Sequence, residues 1–438
     1  MNKKNTSYFL DLVTLSLPII LGHIGHVLIQ AGDVFIAGRH SSLLVAACGV
    51  ASGFSSLVFI AGLGLLFGIS PTLARYRGAG KNLNQYLPQT ILYSVIISVV
   101  IVVIGKIQIH FIPSFNIDKN LVPLIQQYLD IFIWSFPPAF MATAIKEFLQ
   151  AKEDVVFANT LSIITAIVNV ILCAILVINL GGMVSSLGIE GLAIASVIAR
   201  VLMVVVLMAY AFVKIKNIPI TIDKEYLRDI FKLSVPIALA IFLEISTVSV
   251  ISILIGRLEP IQSAAHSVVL TIATIIFMVP LGISSALAVK IGLSYGSKNQ
   301  IDLINYIKSG ILIVLTFMLF SAFSSYLFGK QLIMIFIEDH STVLLALPLL
   351  GVMSLLQISD GIQVVLANIQ RGMGVSKPSF YISLISYWLV ALPIGHCLGV
   401  YYSYNALGYW IGLATGLTFA AIMLAFVLRY YLKQQKFA

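Results

Sequence analysis

Leu15-Ser16-Leu17-Pro18-Ile19 and Leu233-Ser234-Val235-Pro236-Ile237 are the same pentapeptide except at the middle residue, and they lie 218 residues apart. The match runs on without a gap. Gly38 and Arg39 fall on Gly256 and Arg257, Ala46, Ala47 and Val50 on Ala264, Ala265 and Val268, Phe59, Leu63 and Gly64 on Phe277, Leu281 and Gly282, and Gly78 on Gly296. Farther on the shift becomes 220, placing Gln150 on Gln370, Val155 on Val375, and Leu187-Gly188 on Leu407-Gly408. Leu, Ile, Val and Ala match one another cheaply in apolar sequence, but glycines, prolines and arginines do not. The chain is one unit written twice.

Of its 438 residues, 60% are hydrophobic and 10% charged, far from the roughly 25% charged residues of a soluble domain. At about 20 apolar residues per crossing, this length holds about a dozen transmembrane helices and little else. Runs of spanning length place them near 8–36, 43–73, 87–109, 122–146, 157–180, 189–213, 233–255, 262–289, 303–328, 343–369, 379–400 and 405–431. Long runs also exclude a transmembrane barrel, whose strands alternate in period two. The expected fold is an all-α integral membrane protein with twelve transmembrane helices in two pseudo-symmetric six-helix lobes. The lobes are residues 1–213 and 233–438, joined by the polar segment 214–232. An even number of helices per repeat preserves orientation, an arrangement of secondary transporters that build their sites between repeats.

The formal charge of +9 serves topology. Twenty of the 26 Lys and Arg residues fall on the side shared by both termini. Arg39, Lys106, Lys119, Arg257 and Lys330 fall on the other, and Arg200 lies within a helix. The positive-inside bias puts both termini in the cytoplasm and the protein in the plasma membrane, and the excess charge requires no nucleic acid. Cys48, Cys173 and Cys397 have no redox or metal spacing and read as packing residues. Lys3 and Lys4 precede an apolar stretch without a small-residue cleavage site, so the first helix is expected to be retained.

An intramembrane charge costs about 2.5–3.5 kcal/mol on insertion scales, so an acid at that depth suggests function. Asp33 lies in helix 1, Glu244 near the middle of helix 7, and Asp360 near the middle of helix 10. Asp11, Asp130 and Glu190 sit nearer helix ends and rank lower. His26, Gln30 and Asp33 share one face of helix 1, with His23 beside them, and Gln357, Asp360 and Gln363 make a second polar stripe. Such faces must meet protein or water. The repeat shift sets Glu244 opposite His26, so the symmetry breaks at ionisable positions. Arg200 shares a helix face with Ser196, and Asp33 and Asp130 are the acids it could meet. Gly408, Gly412 and Gly416 recur at four residues and suit close helix packing.

Gly80-Lys81, Gly105-Lys106 and Gly329-Lys330 lack the rest of a phosphate loop, and neither H-E-x-x-H nor G-x-S-x-G occurs. No ATP-driven pump and no hydrolase is indicated, so an enzyme is not expected, and neither is a cofactor.

Several stretches together resemble the multidrug and toxic compound extrusion (MATE) transporters, in particular the NorM-like branch. They are Leu15 to Pro18 with Asp33 and Gly38, Pro71 with Gly78 to Lys81, Glu244, Ala264 to His266, and Asp360 with Gln370 to Gly372. The resemblance runs nearly end to end. It implies a cation-coupled antiporter that exports amphipathic, often cationic drugs and dyes in exchange for H⁺ or Na⁺ by alternating access. Its partners would be small molecules and membrane lipids, and a monomer is expected. In that branch a helix 7 glutamate and a helix 10 aspartate form the coupling pair, matching Glu244 and Asp360. The resemblance also implies an amino-lobe cation site from Asp33, Asn169 and Ser196, the candidate Na⁺ ligands, with His26 and Arg200 in support. The second helix 5 position, often Asn or Asp in relatives, is Cys173. A thiol is a poor ligand for hard Na⁺, whereas a proton needs only the carboxylate. A flippase for a lipid-linked saccharide is the alternative. A diphosphate cargo calls for a basic cavity, and the central charges read as mainly acidic.

Overall fold

The computed structural model describes residues 3–114, 121–179, 186–215 and 222–434. Twelve helices among them are long and apolar enough to cross a membrane. They are α1 Ser7–His40, α2 Leu43–Gly78, α3 Leu83–Ser114, α4 Leu121–Ala151, α5 Val156–Ile178, α6 Gly188–Lys214, α7 Lys224–Gly256, α8 Pro260–Gly296, α9 Gln300–Leu327, α10 His340–Gly372, α11 Lys377–Tyr401 and α12 Asn405–Gln434. No strand occurs among the described residues. The protein is an all-α membrane protein with the expected number of spans.

Several helices outrun their apolar cores. α7 is already helical at Lys224, inside the segment read as a linker, because hydropathy marks only the part that suits lipid. Residues 216–221 of that segment, Lys119 and Lys436, and the side chains of Lys3, Lys4 and Gln30 lie outside the described residues.

Proline and glycine shape three spans. In α4 a 3₁₀ turn, Ile133–Ser135, precedes Pro137 and Pro138, which have no N–H to return to the carbonyls of Ile133 and Trp134. α2 opens after Gly64, where Leu65 and Leu66 bond back only three residues. α11 widens into π turns over Leu384–Ala391 and Cys397–Tyr401, on either side of Pro393.

The helices form two compact units, and each borrows from both halves of the sequence. The carboxyl unit comprises Met1–Ile20, Ala74–Gly80 and Leu239–Ala438; the amino unit comprises Leu21–Leu73 and Lys81–Ala238. α1 and α7 therefore each change units, two residues after Pro18 and Pro236 respectively.

Within the carboxyl unit, Tyr8 donates to Asp302 at 2.7 Å, while Asp11 accepts from Tyr306 and pairs with Lys290 at 2.7 Å. In the amino unit Tyr226 is 2.6 Å from Thr90, and the Asp223 N–H donates to Gln89 at 2.9 Å. Tyr8 and Tyr226 stand at the same position of the repeat, 218 residues apart.

Lipid is as apolar as a leucine side chain, so helices in it associate through close packing and small residues. Gly78 and Gly296, equivalent in the repeat, meet in the carboxyl unit. A Cβ on Gly78 would lie 2.2 Å from the Leu293 carbonyl oxygen, and one on Gly296 2.0 Å from that of Arg75. The Gly408, Gly412 and Gly416 stripe presses on α11 at Gly399, Gly395 and Ser386, as close packing requires. Cys48 and Cys173 are buried, but Cys397 is exposed on α11 and is not a packing residue.

Candidate functional site

In the amino unit α1, α5 and α6 bring Asp33, Asn169, Cys173 and Ser196 together. Gly25 and Gly32 on α1 allow this, since a Cβ on Gly25 would meet the α5 backbone at 3.1 Å and one on Gly32 the Val170 side chain at 2.4 Å. Asp33 is 8% exposed and Asn169 fully buried. One Asp33 oxygen accepts from the Cys173 thiol at 3.3 Å and the other from the Ser196 hydroxyl at 3.4 Å. Ser196 in turn accepts from the Asn169 amide at 3.2 Å, and Asn169 Oδ1 has no partner among the described residues. A buried carbonyl oxygen without a donor is costly unless something positive or protic faces it. Oxygens of Asp33, Asn169 and Ser196 could serve a cation, while Cys173 supplies a soft donor where a further oxygen would help.

Arg200 lies one turn along α6 from Ser196 and is 7% exposed. It donates to Ser135 Oγ at 2.7 Å, and its guanidinium lies 4.8 Å from the Phe59 ring centre and 5.0 Å from that of Phe132. Asp33 and Tyr128 lie within its electrostatic reach. Asp130 is spoken for elsewhere, in an exposed pair with Lys106 at 2.6 Å. His26 is an exposed residue of α1 whose ring stacks on Phe59 at 6.0 Å.

The carboxyl unit holds a second group of acids. Glu244 on α7 and Asp360 on α10 are partly buried and act on each other electrostatically. Tyr387 acts on Glu244 and exchanges hydrogen bonds with Gln363, its hydroxyl donating to Oε1 at 3.0 Å and accepting from Nε2 at 2.9 Å, and Arg371 acts on Glu244 electrostatically. The π turn of α11 contains Tyr387. His266 has a structural place in the core, accepting from the Trp410 indole at 3.1 Å and meeting Ser252 at 2.8 Å.

Two of these residues left no mark in the sequence reading. Tyr387 is one aromatic among many in an apolar run, and the only hint of its position was Pro393 downstream. Lys146 is one of the twenty basic residues that the sequence sets on the side of the termini. It lies within α4, partly buried and bonded to Ser162 at 2.9 Å.

The geometry can be set beside known proteins. The family model described as MatE matches residues 18–175 and 236–396, the first five helices of each repeat. The chain belongs to the MatE family. Among curated MatE relatives, the probable multidrug resistance protein NorM of Photorhabdus laumondii is 27% identical, covering 96% of this chain and 95% of its own. The multidrug resistance protein NorM of Photobacterium profundum is also 27% identical, covering 96% and 95%. The crystal structure of the Vibrio cholerae MATE transporter VcmN in the bent form superposes with a TM-score of 0.85 at 18% identity, covering 98% of each chain. This chain is thus a MatE protein of the NorM-like kind with the MATE fold.

Proposed function

We propose that this protein is an antiporter in the plasma membrane that exports amphipathic drugs, dyes and other toxic organic compounds by alternating access, driven by entry of H⁺ or Na⁺. The observation that carries the reading is the Glu244–Asp360 pair, two acids that act on each other inside a membrane-spanning unit of a chain whose relatives are named multidrug resistance proteins. Two such acids repel when both are ionised, so the pair favours a bound proton or Na⁺. A cationic cargo can relieve the same repulsion. Ion and cargo therefore compete for one pair of charges, and neither leaves cheaply without the other arriving.

Asp33 is the coupling acid of the amino unit, with Asn169 and Ser196 as candidate Na⁺ ligands and His26 and Arg200 as neighbours. Cys173 and the Arg200 charge favour the proton there. Both termini face the cytoplasm, by the distribution of Lys and Arg, and the working unit is a monomer. The names of the relatives speak against the lipid-linked saccharide flippase.

The test is dye efflux from proteoliposomes with the two gradients imposed separately. The reading expects efflux against a dye gradient under an inward H⁺ or Na⁺ gradient, lost in Glu244→Gln and Asp360→Asn while both variants still insert. Transport indifferent to both gradients, or undiminished in both variants, would overturn it.

A further inference from the structure

His266 stands in the second turn of α8, 2% exposed, and its ring admits only one arrangement of protons. The Trp410 indole is a donor only and gives its N–H to His266 Nδ1 at 3.1 Å, so Nδ1 carries no hydrogen. Ser252 gives its hydroxyl proton to the Val248 carbonyl at 2.9 Å and lies 2.8 Å from His266 Nε2, so Nε2 is the donor between those two. The chain from Trp410 through His266 and Ser252 to Val248 uses each hydrogen once and fits the neutral ring protonated at Nε2 alone. Cys48, the counterpart of His266 in the repeat, makes no side-chain hydrogen bond among the described residues. The carboxyl unit alone has this three-helix tie.

α7 is the helix that depends on it. With α9 it is the least buried of the twelve spans. In residues 239–256, which belong to the carboxyl unit, Thr247, Ile251 and Ile255 are fully buried, and the two isoleucines share a core with Ala265 and Val269 of α8 and with Trp410. At about 100° per residue these three lie within about 60° of Glu244 round the helix, so the acid stands on the packed stripe. Ser252 stands about 80° from Glu244, at the border of that stripe. Apolar contact along a stripe lets a helix roll, whereas a directional bond at its border fixes the rotation. Among the described residues Ser252 is the one hydroxyl of 239–256 that bonds to another helix; Ser246, Thr247 and Ser249 return theirs to carbonyls of α7 itself. The rotation fixed there decides how Glu244 meets Asp360 on α10 and Tyr387 on α11.

We infer that His266 is a positioning residue for the coupling acid Glu244: as the Nε2–H tautomer it ties α7 to α8 and α12 through Ser252 and Trp410, and it holds α7 at the rotation that presents Glu244 to Asp360. The inference rests on the antiporter reading and adds to it a residue that touches neither ion nor cargo. A carboxamide has an acceptor and a donor, so glutamine at this position keeps both bonds, while leucine keeps the bulk and loses both.

Nuclear magnetic resonance of the full chain in lipid nanodiscs tests the tie at equilibrium, without any gradient. With ¹⁵N-labelled histidine, the His266 signal, assigned as the one missing in His266→Gln, should show a neutral ring protonated at Nε2. A ring protonated at Nδ1 in the unmodified protein would overturn the inference, and that result needs no variant beyond the assignment. With the glutamate carboxyl carbons labelled, the titration of Glu244, assigned through Glu244→Gln, reads its surroundings, which are Asp360 and Arg371 on α10 and Tyr387 on α11. Its midpoint should move by about half a pH unit or more in His266→Leu and by less than about 0.2 in His266→Gln. Ser252→Ala leaves the Trp410 bond and the core in place, should move the midpoint in the same direction, and serves where the leucine variant does not fold. An unmoved midpoint in Ser252→Ala and His266→Leu, or equal movement in the leucine and glutamine variants, would refute the positioning role. In proteoliposomes the same change should appear as about a threefold shift in the coupling-ion concentration at half-maximal efflux. A moved titration with no shift in efflux would sink the role in transport. Absence of gradient-driven efflux by the unmodified protein, with the Glu244 midpoint still moved in Ser252→Ala, would instead overturn the antiporter reading and leave the tie to Glu244 standing.

Discussion

Ser196→Ala removes one hydroxyl and disturbs two buried groups at once. Asp33 loses a donor at 3.4 Å, and the Asn169 amide loses its acceptor at 3.2 Å. A hydrogen bond to a charged group nets about 1.5–3 kcal/mol, and the long separation here argues for the lower end. An orphaned buried N–H costs about 1–3 kcal/mol, again at the lower end because Asn169 can turn toward Asp33. Together they predict a loss of about 2–3 kcal/mol. In a chain this long each kcal/mol moves the midpoint by less than the roughly 2–4 °C seen at 150–250 residues, so Tm should fall by about 2–5 °C. Cys173→Ala is the internal comparison. It removes only a weak thiol donor at 3.3 Å and should cost under about 1 kcal/mol. Thermal unfolding of the two variants in detergent, followed by intrinsic fluorescence, separates them. Cation-driven efflux should also fall more in Ser196→Ala, which takes an oxygen from the candidate site. A Tm for Ser196→Ala no lower than for Cys173→Ala would mean that the Asp33 cluster does not work as a bonded unit, and the reasoning would fail.

Gly296→Ala should destabilise by about 1–3 kcal/mol or more, because its Cβ would stand 2.0 Å from backbone on the facing helix, whereas Gly53→Ala, with nothing within 4 Å, should be neutral or gain up to about 1 kcal/mol; thermal melts decide. Tyr387→Phe should slow gradient-driven efflux by up to about tenfold while leaving insertion intact, since it removes the hydroxyl that acts on Glu244 and bonds Gln363, worth about 0.5–1.5 kcal/mol; efflux at the normal rate would make the tyrosine a packing residue. Cys173→Asn, which offers an oxygen in place of the thiol, should increase the Na⁺ dependence of efflux, and Arg200→Gln should do so too by removing a fixed charge near Asp33; transport assays at constant pH with graded Na⁺ would show it. Asp339 caps α10 by accepting from the Thr342 N–H at 2.8 Å and hydroxyl at 2.7 Å, and these bonds hold its carboxyl below the ordinary value of 3.8. Its contribution is therefore complete above that value and lost as pH falls through the lowered one, so amide exchange in the first turn of α10 should quicken in acid, and Asp339→Asn should flatten the response.

The number of helices and their pairing as a repeat were legible because lipid imposes a length on every apolar run and because glycine and proline have no interchangeable substitutes. Asp33, Asn169 and Ser196 meet in the structure, as the resemblance implied, and the polar face of α1 foretold that Asp33 points into protein. The rest was hidden for definite reasons. Lys146 stands five residues before the end of α4, where a long stem can reach water or turn inward, and sequence does not choose between them. The partner of Asp130 was equally open. Lys106 takes it across α3 and α4, and Arg200 finds Ser135 and two rings instead of that carboxylate. Tyr387 acquires its contacts from a π turn, and a one-residue change of helical phase leaves almost no trace in an apolar sequence.

The repeat and the units divide the chain differently, and the difference has a physical source. Tyr8 and Tyr226 occupy one position of the repeat, yet Tyr8 bonds Asp302 in the carboxyl unit and Tyr226 meets Thr90 in the amino unit. Each unit thus completes itself with the opening turns of a helix that belongs by descent to the other repeat. What the repeats share is backbone chemistry: Pro18 and Pro236 two residues before the changes of unit, and Gly78 and Gly296 at one contact. What they do not share is charge. His26 stands where Glu244 does, the amino unit sets Lys146 and Arg200 around His26, and in the carboxyl unit Glu244 and Asp360 act on each other. Residues that shape the chain are therefore doubled while those that bind are not, as expected if both halves must bend alike but hold different charges.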